Sequence, residues 1–218
     1  MTDLTKMRQA ERVGLSALIL AGGQSMRMGQ DKALVKIQGM PMLLRVCSVA
    51  QEVLGETLYL YIVTAWPERY QSLTPKGCQF IQEMDPQGPL NGFAQGLAHI
   101  ETEWVLLLAC DLPKIKAITL RSWAETLTEL PPSVMALVPR RETEKEKGWE
   151  PLCAFYRRAS LDHLQQFLNQ GGRSFQAWLS QLSVQELALT DEEILLNCNT
   201  PGDVALAERI EPLGKSLC

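Results

Sequence analysis

From Leu15 to Lys32 the chain reads LSALILAGGQSMRMGQDK, an apolar run that passes directly into a loop rich in glycine and cations. The run from Leu15 to Leu20 is short and apolar apart from one serine, which is typical of a buried strand. Backbone N–H groups of the following loop can surround phosphate oxygens, because glycine has no Cβ to block the approach. The stretch therefore predicts a strand followed by a triphosphate-binding loop, in which Arg27 and Lys32 supply the positive charge.

The spacing of this loop excludes the two commonest phosphate-binding loops. A P-loop requires Gly-Lys-Ser/Thr at its end, whereas here Gly29 is followed by Gln-Asp-Lys. A dinucleotide fingerprint requires G-x-G-x-x-G, and Gly22, Gly23 and Gly29 do not have that spacing. The loop is therefore of a different kind.

Length and composition favour one α/β domain. The chain has 218 residues, 46% hydrophobic and 21% charged, with a net charge of −4. The acidic balance argues against a nucleic-acid partner held by phosphate contacts. No apolar run is long enough to cross a membrane, and residues 1–13 lack the apolar centre of a signal peptide, so we expect a cytoplasmic protein. The six cysteines form no C-x-x-C pair and predict reduced thiols rather than a zinc site.

Strand and helix patterns alternate along the chain, which predicts a mostly parallel sheet with helices on both faces. We expect residues 1–14 to be a flexible lead-in, residues 15–210 a single domain and residues 211–218 a tail. The charged segment Arg140–Lys147 shows no periodicity and predicts a solvated loop. Leu195–Cys198 is predicted to be the last strand, and Thr200, Pro201 and Asp203 then form a good helix cap.

Two further segments follow predicted strands and so belong at the ligand-binding edge of the sheet. Asp111 comes directly after the apolar strand Glu103–Ala109, and a carboxylate there suits Mg²⁺, although a turn or helix-cap role is the alternative. Gly88 and Pro89 begin a helix whose first turn offers free N–H groups to a base or phosphate, unless they form only an ordinary turn.

The pattern L-A-G-G-x-S-x-R-M-G-x-D-K at residues 20–32 resembles the signature of the nucleotidyltransferases, and within them the molybdenum cofactor guanylyltransferases. Cys-Asp-Leu-Pro at 110–113 is similar to the metal-binding strand end of that superfamily. Softer matches are EPLCAFY at 150–156, GGRSFQAWL at 171–179 and NCNTP at 197–201. The resemblance covers residues 18–208 and implies a three-layer Rossmann-like fold of the nucleotide-diphospho-sugar transferase type.

The resemblance also implies roles for individual residues. Arg27, Lys32 and Asp111 would be catalytic, and Asp111 would hold Mg²⁺, or alternatively Mn²⁺, with Asn199 as a second metal contact. Glu150 stands where the family more often has glutamine. Arg173 lies in a Gly-Arg-Ser segment that has family counterparts and could reach the acceptor phosphate, although a solvent-facing arginine is the preferred interpretation; neither residue is assigned a role. Glu83 is preferred over Asp85 for a nucleotide contact at the end of its strand. The implied nucleotide-binding residues are Leu20, Ala21, Gly22, Gly23, Lys32, Thr64, Glu83, Gly88 and Asp111.

The implied reaction moves GMP from GTP onto the terminal phosphate of molybdopterin-type molybdenum cofactor, with release of pyrophosphate. Such an acceptor is already an anion and needs no general base, which agrees with the absence of a histidine near any motif. Transient contacts with cofactor-delivery or molybdoenzyme-maturation proteins are also implied, and no nucleic acid or membrane partner is. A cytidylyltransferase acting on the same cofactor, a sugar-phosphate nucleotidyltransferase and a non-catalytic nucleotide- or cofactor-binding protein remain alternatives, because the residues alone do not fix the base.

Overall fold

The computed structural model of the chain describes residues 14–22, 31–55, 59–142, 147–189 and 192–209. The strands are β1 (Leu15–Leu20), β2 (Lys36–Ile37), β3 (Met40–Pro41), β4 (Leu60–Thr64), β5 (Gln79–Gln82), β6 (Trp104–Ala109), β7 (Ala136–Glu142), β8 (Lys147–Trp149), β9 (Cys153–Arg157) and β10 (Val184–Leu187). The helices are α1 (Met42–Leu54), α2 (Pro89–Leu97), α3 (Ala117–Glu125), α4 (Leu161–Asn169), α5 (Phe175–Leu179) and α6 (Pro201–Ala207).

One mostly parallel sheet forms the centre of the fold, as the alternation of elements predicts. Its strand order is β10-β7-β9-β6-β1-β4-β5, with β8 paired to β7. Strand β1 pairs in parallel with both β4 and β6, and β4 pairs in parallel with β5. Strand β9 is antiparallel to both of its neighbours, β6 and β7. The carboxyl ends of β1, β4, β5 and β6 therefore meet at one edge of the sheet.

Helices cover both faces of this sheet, because side chains alternate along the buried strands. Ala17 and Ile19 of β1 pack in a core with residues of α1 and α3, such as Val46 and Leu120. Leu18 lies in a second core with residues of α2, α4 and α5. Fully burying one large apolar side chain contributes about 1.5–3 kcal/mol, so these two cores are the main source of stability. The three-layer fold predicted from the sequence is confirmed.

At both of its ends the charged segment 140–147 is strand and not the solvated loop that the sequence predicts. Strands β7 and β8 form an antiparallel hairpin in which Arg140 pairs with Trp149, while residues 143–146 lie outside the described part. Arg140 lies over the ring of Trp149, with its guanidinium carbon 5.3 Å from the ring centroid, and its guanidinium is 3.7 Å from the carboxylate of Glu186. Arg140 therefore has partners on both β8 and β10.

The predicted strand at Leu195–Cys198 is also wrong. A 3-10 helix spans Glu192–Leu195, and the following residues make single hydrogen bonds to the rest of the fold instead of a strand ladder. The Leu195 carbonyl accepts from Arg141, and the Cys198 N–H donates to the carbonyl of Asp111. The sequence does not indicate the edge strand β10, because only Leu187 of its four residues is buried. The five cysteines in the described part are free thiols, as expected.

Candidate active site

A cavity of about 730 Å³ lies at the sheet edge where β1, β4, β5 and β6 end. This is the edge at which open α/β sheets bind ligands. Seven of the residues that the sequence proposes for the site line this cavity: Leu20, Gly22, Lys32, Glu83, Gly88, Asp111 and Asn199. Segments far apart in the sequence therefore converge on one space.

Lys32, Asp111 and Asn199 meet inside this cavity. The Lys32 Nζ donates to Asp111 Oδ2 over 3.2 Å and also donates to Asn199 Oδ1. The side chains of Lys32 and Asp111 are only 22% and 17% exposed, so the charges are partly withdrawn from water. An ammonium, a carboxylate and a neutral amide oxygen thus lie together where a ligand could enter.

Asp111 is positioned by the buried strand that precedes it. The Cys110 N–H donates to the carbonyl of Leu20 over 3.2 Å, which extends the pairing of β6 with β1 by one residue. The Asp111 carbonyl in turn accepts the N–H of Cys198 over 3.0 Å. This bond brings the segment before α6 against the end of β6 and places Asn199 beside Asp111.

The start of α6 fixes the backbone of Asn199. Asp203 Oδ2 accepts the N–H of Asn199 over 3.0 Å and that of Thr200 over 2.8 Å, and Thr200 completes the capping box predicted from the sequence. Partial desolvation opposes the charge of Asp203, but these hydrogen bonds outweigh it and hold the pKa of that carboxyl below its ordinary value. The cap therefore stays ionised and positions Asn199 at neutral pH.

Glu83 directly follows β5, and its carboxylate lies close to two glycines that also line the cavity. A Cβ added to Gly92 would lie 3.0 Å from Glu83 Oε1, and one added to Gly22 would lie 3.6 Å from Oε2. Burial, followed by the nearby charge of Asp85, raises the pKa of Glu83. Asp85 does not line the cavity, so the geometry favours Glu83 over Asp85 for contact with a ligand there.

Gly88 is the N-cap of α2 and has a φ of 102°, a left-handed conformation that favours glycine. Pro89 follows at the first helical position, where a missing N–H costs nothing. Both residues line the cavity, so the first turn of α2 faces the ligand space, as the sequence suggests.

Two proposed contact residues do not line the cavity. Thr64 is fully buried, and its Oγ1 accepts the N–H of Trp66 over 3.2 Å, so its side chain stabilises the turn after β4 instead of reaching a ligand. Ala21 is also fully buried, and its N–H donates to the carbonyl of Val63 over 2.9 Å. Gly23 and Arg27 lie outside the described residues.

Asp31, Ala65 and Trp66 line the cavity although the sequence analysis gives them no role. Asp31 belongs to the signature at residues 20–32, so its place in the site could have been predicted from the sequence. Ala65 and Trp66 carry no motif, and their position depends on the path of the chain after β4. The side chain of Trp66 also lies under the guanidinium of Arg69, whose central carbon is 4.5 Å from the ring centroid.

Glu150 and Arg173 lie outside the cavity and have local partners. Glu150 Oε1 accepts from Arg141 over 2.7 Å, so the negative charge that departs from the family pattern is balanced. Arg173 donates to Gln87 over 3.0 Å and to the Leu168 carbonyl over 2.9 Å. These contacts hold both side chains to the scaffold.

The oxygens of Asp111 and Asn199 fit a magnesium ion. Both accept from the same ammonium, so both point at a common cationic position, and hard oxygen donors are what Mg²⁺ prefers. Within the described ranges no three His, Cys, Asp or Glu residues gather into a metal site. A site with few protein ligands is the arrangement in which Mg²⁺ relies on water and substrate phosphates.

Comparison with known proteins places this geometry in a family. The family model described as a MobA-like NTP transferase domain matches residues 17–185. A probable molybdenum cofactor guanylyltransferase from a Nostoc species is 55% identical over 194 residues, which cover 89% of this chain and 90% of the relative. A relative of the same name from Synechococcus elongatus is 44% identical over 88% of this chain and 96% of its own length.

A solved structure has the same fold. Molybdopterin-guanine dinucleotide biosynthesis protein A from Archaeoglobus fulgidus superposes with a TM-score of 0.70, at 23% identity over 88% of this chain and 96% of its own. At that identity the likeness shows the fold alone, and it confirms the nucleotidyltransferase fold expected from the sequence. No helix in the described part of the chain is long and apolar enough to cross a membrane.

Proposed function

The chain belongs to the MobA-like NTP transferase family, and on that premise we propose that it transfers GMP from GTP to the terminal phosphate of molybdopterin-type molybdenum cofactor. The products are molybdopterin guanine dinucleotide and pyrophosphate. The observation that carries this proposal is the convergence of Lys32, Asp111 and Asn199 in one cavity at the carboxyl edge of the sheet. We further propose that the reaction takes place in the cytoplasm, with transient contacts to proteins that deliver the cofactor or receive the product.

The described lining of the cavity offers charged groups but neither a reactive thiol nor an imidazole. Cys110 lines it, but burial and the nearby carboxylate of Asp111 raise the pKa of its thiol well above the usual range, so the thiol stays protonated and inert. No histidine is among the described residues that line the cavity. A phosphate monoester acceptor is already nucleophilic near neutral pH, so a site that positions it and offsets repulsion is sufficient.

Lys32 is the residue proposed to bear the negative charge of the triphosphate. Its ammonium lies between two oxygen side chains and can turn one or more of its three donors to phosphate oxygens. Asp111 and Asn199 would hold Mg²⁺, which when bound would offset charge on the substrate phosphates. Glu83 and the first turn of α2 are proposed to contact the nucleotide from the opposite wall.

Product analysis tests the reaction. The protein is incubated with the magnesium complex of each of the four nucleoside triphosphates and with either molybdenum cofactor or, in separate reactions, a sugar phosphate. Pyrophosphate and the nucleotide-linked product are both measured. We expect pyrophosphate release and a pterin mass increased by GMP only with GTP. A preference for CTP would favour the cytidylyltransferase, and turnover with a sugar phosphate alone would favour the sugar-phosphate enzyme.

Variants of the converging residues test the site. Removing one electrostatic group of this kind costs about 3 kcal/mol, so we expect Asp111→Asn and Lys32→Ala each to lower kcat about 100-fold or more. Lys32→Ala should also weaken GTP binding. The matched controls are Asp162→Asn on α4 and Lys36→Ala in β2, both at exposed positions outside the cavity. Wild-type rates in Asp111→Asn would remove Asp111 from the proposed site.

A further inference from the structure

We propose that Tyr70 is a positioning residue for Lys32 and acts through the carboxylate of Asp31; this inference rests on the function proposed for Lys32. The Tyr70 hydroxyl donates to Asp31 Oδ2 over 2.6 Å. Asp31 is the residue directly before Lys32, and Tyr70 comes from the separate turn after β4. The bond therefore ties the backbone that carries the lysine to a distant part of the scaffold.

The other oxygen of Asp31 belongs to the turn that carries Lys32. Asp31 Oδ1 accepts the N–H of Ala33 over 3.0 Å and so caps the 3-10 helix Lys32–Leu34. Ala33 is buried in the same core as Tyr70. One carboxylate thus joins the start of the lysine turn to the tyrosine hydroxyl, and Arg69 of the same turn as Tyr70 places its Nη1 4.0 Å from Asp31 Oδ2. Without the contact to Ala33 or the contact to Tyr70, the backbone of Lys32 and the orientation of its side chain would be less restricted.

Tyr70 is itself held firmly enough to act as an anchor. Its side chain is 1% exposed, its N–H donates to the Pro67 carbonyl over 3.0 Å, and its carbonyl accepts the N–H of Leu73 over 2.9 Å. Burial, and then the bond to Asp31, raise the pKa of Tyr70 well above its usual range. The hydroxyl therefore remains a donor at any pH at which the protein works.

The position of Lys32 is what this anchor would protect. The Lys32 Nζ, which lies at the end of a flexible side chain, is 3.2 Å from Asp111 Oδ2. A small shift at the backbone is magnified at the ammonium, and a displacement of about 1 Å in a catalytic group can cost about 100-fold in rate. Tyr70 touches none of the reacting groups, so its effect must pass through Asp31 and Lys32.

A double-mutant cycle tests the coupling. Tyr70→Phe removes only the hydroxyl and is expected to lower kcat for pyrophosphate release about 10-fold in the wild-type background. In a Lys32→Ala background the same change should cost less than about 2-fold, because the residue being positioned is gone. Tyr59→Phe, at an exposed tyrosine, is the matched control and should leave kcat unchanged in both backgrounds. An equal loss in both backgrounds, or no loss in either, would overturn the proposal.

A second measurement separates this inference from the proposed function. The rate at which acetic anhydride acetylates Lys32, followed by peptide mass spectrometry, requires no turnover. We expect at least about a threefold increase in Tyr70→Phe relative to Lys36 in the same sample, and none in Tyr59→Phe. An unchanged rate refutes the positioning role even if GMP is transferred, whereas an increased rate supports it even if no transfer is found. If Tyr70→Phe does not fold, Asp31→Asn, which keeps an oxygen for the Ala33 N–H, is measured in the same way with the same criteria.

Discussion

Glu83 is a carboxylate whose surroundings oppose its own charge. It is half-buried at the end of β5, and its pKa is raised by burial and then by the charge of Asp85. The folded protein therefore binds the Glu83 proton more tightly than the unfolded chain does. The stability of the folded state falls as pH rises through the titration range of this carboxyl, and the loss is complete once Glu83 is ionised in both states.

Replacing Glu83 by glutamine should stabilise the free protein and weaken nucleotide binding. Because the loss of stability exists only when Glu83 is charged, we expect Tm of Glu83→Gln to match wild type near pH 4 and to exceed it by about 1–2 °C at pH 8. Affinity for GTP should fall about 10-fold, about 1.4 kcal/mol, if Glu83 contacts the nucleotide. Thermal melts over this pH range and equilibrium dialysis measure both effects, with exposed Glu68→Gln as the control. A gain in Tm that is the same at pH 4 and pH 8 would contradict the pKa argument.

Individual site residues could be predicted where a strand end and a charge coincide in the sequence. Asp111 and Glu83 meet that condition, whereas Lys32 lies well beyond the end of β1 at Leu20 and is predicted from the glycine-rich loop that carries it; all three line the cavity. Thr64 also follows a strand pattern, but its side chain is turned into the scaffold by its hydrogen bond with the N–H of Trp66. Which of two adjacent residues faces a cavity depends on the turn beyond the strand, and no periodicity in the sequence encodes that turn.

Helix α2 lies unusually close to the sheet at Gly96. A Cβ at this position would lie 2.6 Å from Leu18 Cδ2 and 2.7 Å from Val63 Cγ2, well inside van der Waals contact with two buried side chains. The first turn of this helix lines the cavity. The close packing of the helix against β1 and β4 therefore determines where that turn lies in the candidate site.

An alanine at Gly96 should therefore destabilise the protein. Overpacking a core by one methyl group costs about 1–3 kcal/mol, so we expect Gly96→Ala to lower the free energy of unfolding by that amount in urea titrations. The matched variant is Gly202→Ala in α6, where the nearest atom to the new Cβ is Thr200 Oγ1 at 3.6 Å. Because the new Cβ of Gly202→Ala meets no crowded atoms, this substitution should leave the free energy of unfolding unchanged or raise it by up to about 1 kcal/mol. Equal effects at the two positions would show that backbone entropy, not packing, governs Gly96.

A strand or helix could be predicted from the sequence when its own residues carry the pattern that stabilises it. An element that depends on contacts with distant parts of the chain could not. Strand β6 is buried at all six residues and was found from its apolar run. Strand β10 has two exposed polar residues, Gln185 and Glu186, and exists because β7 offers it a parallel edge. The β7–β8 hairpin likewise depends on partners such as Glu150 and Glu186 that lie beyond it in the sequence.

At the scale of the whole molecule, the alternation of strands and helices was sufficient to predict the layers but not every strand direction. Strand β9 lies between β7 and β6 and is antiparallel to both, although its apolar sequence is compatible with either direction. The two cores that pack on the sheet are built from apolar side chains of all its central strands. The described cores stabilise the sheet by apolar packing, and the cavity lies at the sheet edge. Ligand binding therefore adds to the stability that the cores supply.

This separation predicts how ligands should shift the melting temperature. A ligand that binds only the folded state adds about 2.7 kcal/mol of stability at 100 times its Kd, which for a chain of this size is about 5–10 °C in Tm. We therefore expect GTP with Mg²⁺ to raise Tm by that amount. Thermal melts monitored by fluorescence measure the shift.

The controls separate the metal, the lysine and the base. EDTA alone should change Tm by less than about 1 °C, because the cores are apolar, yet it should remove most of the shift that GTP produces. Lys32→Ala should suppress the shift while Lys36→Ala retains it. A full GTP shift in the presence of EDTA would mean that Asp111 and Asn199 bind no metal needed for nucleotide binding. A larger shift with CTP than with GTP would assign the pocket to cytosine, since mass action ranks ligands by affinity for the folded state alone.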